Sequence, residues 1–488
     1  MELKQLFKNI DFELKQGNLN QKITEVKYDS REIEKDNLFI AINGFEVDGH
    51  QFIEQAIKNG AAAVVIEKDL SEYQAGISYI KVDNCRKVMA ELAKNFFGNP
   101  LTDIKLIGIT GTNGKTTTSY LLYNILKEAK GKAALFGTIK NIIGEQELDS
   151  SRTTPESVDL YRYFSQMREA EVKYGVMEVS SHALDLYRVH GMKFAAAIFT
   201  NISPEHLDYH KNLENYREVK ARLFAQLSQD KFAVINLDDS NSDYIKEKSG
   251  GKNYFYSLNA KTADLYTTDY ELHQKGMEYR TGGKLDTFFE LNLGGIFNIY
   301  NSLASILTAK LLGIKKDTIK NALAKISSVP GRFEIINAGQ DFQIVVDYAH
   351  TPDGMKNVLE TASAMEKNRL IVLFGCGGDR DRSKRPVMAS LAEKYADYTI
   401  VSNDNPRSED PENIFAEIKK GFSKKFNAYE IIPDRKKAIE KAIQIAEKND
   451  LVMLLGRGHE QYQILKNRKI KLDDRQIAHQ AAVEMKGI

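Results

Sequence analysis

The chain has 488 residues, of which 42% are hydrophobic and 28% charged, the balance of a packed globular protein, and its length corresponds to about three domains of ordinary size. Lys and Arg total 68 against 67 for Asp and Glu, a formal net charge of +1, so nothing in the charge balance favours a nucleic-acid or membrane partner. No run of about 18 apolar residues occurs, the first residues lack the apolar core of a secretion signal, and Cys85 and Cys376 lie too far apart to suggest a disulfide framework or a metal pair. A soluble, cytoplasmic, reduced protein is expected.

Residues 1–99 form a first block. Short strands are expected at 37–42, 61–67 and 77–82, with helical patterns at 52–59 and 86–97. Gly98-Asn99-Pro100 closes the block with turn chemistry.

The second block, residues 100–332, opens on the most informative stretch. Residues 106–109 read as a buried strand, Gly111-Thr112-Asn113-Gly114-Lys115-Thr116 as a loop, and the next stretch as a helix ending near Gly131. Glycines let backbone N–H groups turn toward an anion, and the helix N-terminus adds positive potential. Lys115 is expected to reach phosphates and the Thr116 hydroxyl to sit on Mg²⁺. The usual long phosphate-loop pattern wants a further glycine at position 109, where this chain has Ile. Further strands are expected at 174–179 and 195–200, and a helix at 298–312. Glu178 ends a strand opposite the loop, where a carboxylate can hold Mg²⁺. His206 and His210 raise the possibility of zinc, but no third ligand of suitable spacing is visible. Lys220, on the helical pattern 216–224, reads as a surface lysine. Asn298 and Asn301 read equally as helix caps or as amides facing a nucleotide.

The third block, residues 333–488, alternates strands at 343–347, 370–374, 398–402, 430–432 and 451–455 with helical segments. This is βαβ repetition and predicts a parallel, doubly wound sheet. Polar clusters at 347–350, 375–385, 404–409 and 456–460 all follow strand C-terminal ends, the edge at which such sheets bind ligands. Thr351-Pro352-Asp353 has N-cap chemistry. The glycine-rich stretch at 375–380 keeps a nicotinamide cofactor open as an alternative. Asp404 with Arg407 suits a zwitterionic amino acid, or equally a solvated proline turn. A regulatory GTPase would want an Asn-Lys-x-Asp guanine reader, and no Asn-Lys pair occurs.

Taken together these motifs resemble the Mur ligase family, ATP-dependent amide-forming enzymes of peptidoglycan assembly. The resemblance spans the chain: Asp29-Ser30-Arg31, the GTNGKT loop, Thr153-Thr154-Pro155, EVSSH, SPEHLDYH, the Tyr216/Lys220 helix, the 295–301 stretch, GRFE, DYAHTPD, GCGGDRD, DNPR and GRGHE. The short phosphate loop is that family's own form.

The resemblance implies three α/β domains: a small UDP-muramoyl-binding domain (1–99), a central ATPase domain with a mostly parallel sheet (100–332) and a Rossmann-like amino-acid-binding domain (333–488). It implies ATP contacts from Gly111, Thr112, Asn113, Gly114, Lys115, Thr116, Thr117, Asn298, Arg332 and Asp347. Lys115, Glu178, His206 and Lys220 would be catalytic. Mg²⁺ would be held by Thr116, Glu178, His206 and Lys220, the last as a carbamate. Ser30, Thr153, Thr154, Ser180 and Arg188 would bind a UDP-muramoyl-dipeptide. Arg380, Asp404, Asn405, Pro406, Arg407, Gly456 and Glu460 would bind diaminopimelate. Leu186 stands where relatives often carry Gln. A monomer acting on small molecules is expected; the alternatives are the same ligation with L-lysine, or a folylpolyglutamate- or cyanophycin-type ligase.

Overall fold

The computed structural model describes residues 1–44, 47–273, 276–466 and 468–485. Among the described residues three large sheets follow one another along the chain, and a two-stranded hairpin, Tyr462–Leu465 with Arg468–Lys471, forms a fourth. In the first, Val26–Lys27, Asn37–Ile40, Ala61–Ile66 and Ser78–Lys81 run parallel in that order, and Glu13–Gln16 pairs antiparallel with Ser78–Lys81. The helix Cys85–Phe96, capped by the Asn84 side chain, buries Val88, Met89, Leu92 and Ala93.

The middle sheet has 11 strands. At its centre Lys105–Thr110 lies between Tyr174–Glu178 and Phe194–Phe199, parallel to both. Its apolar, largely β-branched run is buried from Leu106 onward, as a strand covered on both faces requires. The helix Lys115–Lys130 buries Leu121, Leu122, Ile125 and Leu126 and stops at Gly131, φ 75°. Each of those side chains contributes about 1.5–3 kcal/mol by leaving water. Two extensions were not read from the sequence: an antiparallel hairpin, Lys140–Ile143 with Gln146–Asp149, and a meander of Leu265–His273, Gly276–Gly283 and Thr287–Leu291. Both alternate buried and exposed positions only partially, which blurs the period of two.

The third sheet runs Glu334–Ile336, Gln343–Asp347, Leu451–Leu455, Leu370–Phe374, Tyr398–Val401, Tyr429–Ile431. The last five are parallel, and three of them match the expected limits; Tyr398–Val401 and Tyr429–Ile431 shift by one residue. Glu334–Ile336 adds an antiparallel edge that the sequence did not announce. Because Leu451–Leu455 inserts between two strands that precede it in sequence, the loops after residues 347, 374 and 455 open into one crevice, the topological switch point of such a sheet.

Candidate active site

The strand Lys105–Thr110 delivers the phosphate loop to the helix N-terminus. Gly114 takes the cap position at φ 85°, and a Cβ there would stand 2.4 Å from Asn301 Oδ1, so both backbone and space require glycine. Thr112 and Asn113 tie the loop to the next strand end: Thr112 N–H donates to Asn201 O (2.8 Å) and Asn113 N–H to Asn201 Oδ1 (2.9 Å). Lys115 Nζ folds back onto the carbonyls of Gly111 (2.9 Å) and Thr112 (2.7 Å). Burial pulls the Lys115 pKa down, opposed by Glu205 and Glu178. Thr117, on the first turn of the helix, lines the same cavity.

Glu178 is fully buried and held by three donors: Thr116 Oγ1 (2.9 Å), Thr138 Oγ1 (2.9 Å) and Thr138 N–H (2.9 Å). Gly137 forms the floor beneath it; a Cβ at 137 would fall 2.3 Å from Glu178 Oε1. Thr138 was not singled out from sequence, because it follows a three-residue strand with no motif of its own.

Lys220 corrects the surface reading. Its side chain is 1% exposed, and Nζ donates to Gly111 O at 2.8 Å. Burial, with Lys115 adding repulsion, pushes its pKa well below the usual lysine value. The sequence did contain a signal: Tyr216, Lys220, Leu223, Phe224 and Leu227 form one helical stripe, and Lys220 is the polar residue inside it. The Tyr216 ring lies beneath its Nζ at 4.4 Å.

His206 adopts φ 54° at the entrance, half exposed, with Nε2 3.8 Å from Glu205 Oε2. Burial acts to raise the Glu205 pKa, but His206, Lys115 and His350 together hold it below its ordinary value. His210 instead points inward, its Nε2 2.9 Å from Ser181 Oγ, and burial lowers its pKa to about 4. His182 packs against both imidazoles. Among the described residues no group of three or more His, Cys, Asp or Glu is arranged to hold a metal ion.

The helix Ile296–Leu311 begins at Gly295, and no side chain caps it, so the capping reading of Asn298 and Asn301 is not what the helix shows. Asn298 donates to Gly294 O (2.7 Å) and accepts from Asn301 Nδ2 (2.9 Å). Asn301 Oδ1 accepts from Thr118 Oγ1 (3.2 Å), and Asn301 lines the cavity while Asn298 lies behind it.

The third sheet closes the cavity from the other side. Arg332 reaches Thr116 Oγ1 (3.2 Å) and stacks over the Tyr348 ring at 4.3 Å. Asp347 accepts from the N–H groups of Phe333 and Ala349, both at 2.7 Å. Burial raises its pKa, countered by Arg332. Asp353, in the first turn of Pro352–Ala364, accepts from Asn113 Nδ2 (2.8 Å) and Ser203 Oγ (3.0 Å). The cavity measures about 820 Å³ and brings Lys115, Thr116, Glu178 and His206 together with Arg332 and Asp347.

A second group sits beside it. Thr153 Oγ1 lies within hydrogen-bond distance of Thr138 Oγ1 (3.1 Å). Thr154 Oγ1 donates to Glu178 O (2.8 Å) and accepts from Ser180 N–H (3.1 Å). Arg188 donates to Thr154 O (3.0 Å) and pairs with buried Glu156 at 3.0 Å. Glu156, which the sequence reading passed over, also pairs with Arg152 (2.5 Å) and with Arg86 of the first sheet's helix (3.7 Å). Ser30 lies apart, in the first sheet's unit, donating to Gln55 Oε1 (3.2 Å).

The third group gathers at the switch point. Arg407, at φ 52°, donates from its side chain only to the carbonyls of Gly378 (2.9 Å) and Asn405 (3.3 Å). It makes no ion pair with any described carboxylate. Burial pulls its pKa down, and Arg380 adds repulsion. Arg380, exposed, donates only to Asp379 O. Asp404 and Asn405 are nearly buried; Gly456 leaves room for the Asp404 carboxylate, which a Cβ at 456 would meet at 2.8 Å. Glu460 accepts from Asn405 Nδ2 (2.8 Å), and burial with Asp404 nearby raises its pKa. Pro406 carries the chain between Asn405 and Arg407, and its carbonyl packs against Gly378.

A phosphate loop and a sealed carboxylate on adjacent strand ends of the middle sheet, facing a guanidinium-lined crevice on the third, are parts of a ligase. Family models for the Mur ligase family catalytic domain, the Mur ligase middle domain and the Mur ligase glutamate ligase domain match residues 22–97, 109–309 and 331–458. The chain belongs to the Mur ligase family. It is 44% identical over 486 residues to UDP-N-acetylmuramoyl-L-alanyl-D-glutamate–2,6-diaminopimelate ligase of Caldanaerobacter subterraneus subsp. tengcongensis, with 99% of each chain covered. It is 42% identical over 490 residues to the enzyme of the same name from Clostridium tetani, covering 99% of this chain and 100% of the relative. A solved structure of a ligase with that name superposes with a TM-score of 0.70 at 31% identity, covering 100% of this chain and 99% of the other.

Proposed function

We propose that this protein is an ATP-dependent amide ligase that joins meso-2,6-diaminopimelate to UDP-N-acetylmuramoyl-L-alanyl-D-glutamate in peptidoglycan precursor synthesis. The observation that carries the amine assignment is the pair Arg380 and Arg407, two guanidinium groups side by side without a carboxylate partner among the described residues. Diaminopimelate brings a distal carboxylate that lysine lacks, and Asp404 and Glu460 supply the complement for its ammonium.

In this reading residues 1–99 bind the uridine end, with Ser30 among the contacts, residues 100–332 the ATP, and residues 333–488 the amine. Thr153, Thr154, Ser180 and Arg188 hold the dipeptide next to the phosphate loop. The D-Glu γ-carboxylate attacks the ATP γ-phosphorus; ADP leaves, and an acyl phosphate forms. The neutral diaminopimelate amine then attacks the acyl carbon, phosphate departs with the C–O bonding pair, and the proton lost by the nitrogen leaves with it. Lys115 leaves its own loop carbonyls to meet the charge spreading over the phosphates. Gly111, Thr112, Asn113, Gly114 and Thr117 shape the anion cradle. Arg332, Asp347 and Asn301, backed by Asn298, face the nucleotide from the junction.

Magnesium, when bound, would neutralise phosphate charge. The Thr116 hydroxyl and the Glu178 carboxylate, 2.9 Å apart, are hard oxygen donors that suit it alongside substrate phosphates. His206 stands at the entrance to the same cavity. Lys220 completes the set as a carbamate: its suppressed pKa favours the neutral amine, the form that adds carbon dioxide and releases a proton. All substrates are bound within one chain, so a monomer suffices, and a nucleotide-linked acceptor with ATP places the reaction in the cytoplasm. Among the described residues no helix is long and apolar enough to cross a membrane.

The test is phosphate release from ATP and the UDP-muramoyl-dipeptide, with diaminopimelate and L-lysine compared side by side. Release should depend on diaminopimelate and fall at least about 10²-fold with lysine, as when a buried polar site is left unpaired. Equal ATP hydrolysis with and without an amine, and no lengthened peptide, would remove the proposal.

A further inference from the structure

Arg457 lies in the crevice of the third sheet and is fully buried. It is the second residue of the Gly456–Glu460 turn, and all of its guanidinium contacts are to the protein's own groups. One face of it meets the amine group's residues. Nη1 donates to Asn405 Oδ1 at 3.1 Å and pairs with Glu460 Oε2 at 3.4 Å. The other face closes the base of the hairpin Tyr462–Leu465 with Arg468–Lys471: Nη2 donates to Tyr462 O (2.9 Å) and Leu472 O (3.2 Å). Nε faces Asp474 Oδ1 at 3.5 Å, and Asp474 is itself gripped by Arg435 at 2.6 Å.

These contacts decide how Asn405 is oriented. Its Oδ1 accepts from both Arg457 and Ile464 N–H (2.8 Å), so its Nδ2 is forced toward Glu460, which accepts it at 2.8 Å. The same hairpin fixes Arg407: its N–H donates to Ile464 O (3.2 Å), holding a non-glycine residue at φ 52°. Such a conformation persists only where the surroundings impose it. One buried guanidinium thus sets an amide's rotamer, a carboxylate's position and the hairpin that aims Arg407.

We propose that Arg457 is a positioning residue for the amino-acid substrate, acting through Asn405, Glu460 and the hairpin on Arg407 without touching the ligand. The inference rests on the assignment of this crevice to diaminopimelate. Lysine at 457 keeps the charge on a single donor nitrogen and should restore part of the geometry; methionine fills the volume and restores none.

The experiment measures KM for diaminopimelate, ATP and the UDP-muramoyl-dipeptide in wild type, Arg457→Met, Arg457→Lys, Asn405→Ala and the Arg457→Met/Asn405→Ala double variant. The expected result is a rise of at least tenfold in diaminopimelate KM for Arg457→Met, with the other two KM values changed less than twofold. Arg457→Lys should fall between, and the double variant should add little to Asn405→Ala alone. A uniform loss across all three substrates, or an unchanged diaminopimelate KM in the methionine variant, would overturn the inference while leaving the wild-type assignment standing. If Arg457→Met does not fold, Arg457→Lys and Asp474→Asn carry the same comparison, and an unchanged diaminopimelate KM in both is equally decisive against it. A wild-type enzyme whose turnover ignores diaminopimelate overturns the parent assignment and this inference together.

Discussion

The phosphate loop and the crevice proposed for the amine are built by opposite routes. The loop is one continuous segment in which Lys115 bonds its own loop carbonyls, and Glu178 on the adjacent strand end already holds three donors. The crevice is assembled from strand ends far apart in sequence and leaves Arg407 and Arg380 without an anion. A self-satisfied site must trade internal bonds for substrate bonds, which suits a ligand as highly charged as a triphosphate. A site with unsatisfied cations selects for the carboxylate that completes it, and so sets specificity.

Four variants probe that contrast. Lys115→Met should lower turnover about 10²–10³-fold, the scale for losing a group aimed at developing charge, with the loop otherwise intact; phosphate-release kinetics check it, and wild-type rates would contradict it. Arg407→Ala should weaken diaminopimelate by about 2–3 kcal/mol, roughly 30- to 150-fold in KM, while KM for ATP stays near wild type. If both rise together, the two sites are not separable in this way.

Asp353→Ala removes the two bonds that pin the third sheet's helix to the phosphate loop and to Ser203. At about 1 kcal/mol each, their loss should shift the interface toward the open state roughly 30-fold, raising KM for ATP and the radius of gyration in solution scattering. Glu409→Gln gives the smallest effect. The Arg385 hydrogen bond lowers the Glu409 pKa to about 2, so the folded chain binds fewer protons than the unfolded one between there and the ordinary 4.5. That stabilisation is present in full above the ordinary glutamate value and lost as pH falls toward about 2. The glutamine variant should flatten this acid slope in thermal melts, with its melting point near neutral pH as the reference.

The same contrast decides what could be read from sequence. The phosphate loop was legible because strand, turn and helix occupy consecutive residues, and Gln343–Asp347, Leu370–Phe374 and Leu451–Leu455 were legible because strands buried on both faces are unbroken apolar runs. Lys220 was misread: the helical stripe could have announced its burial, but not its partner, Gly111 O, which is 109 residues away. The meander of Leu265–His273, Gly276–Gly283 and Thr287–Leu291 was missed because its outward faces mix polar and aromatic side chains. Arg457 lay within a recognised motif, yet its partners come from Asn405, Tyr462, Leu472 and Asp474. Neighbours of that kind appear only once the crevice is folded.

Position 137 shows how far such constraints spread. The hydrogen atom of Gly137 is all that separates the backbone from the buried acid at 178, and a single added methyl group would arrive 2.3 Å from its oxygen. A saturation screen should therefore score this residue as intolerant as the carboxylate it sits against. Alanine there would yield a folded protein whose carboxyl is turned aside.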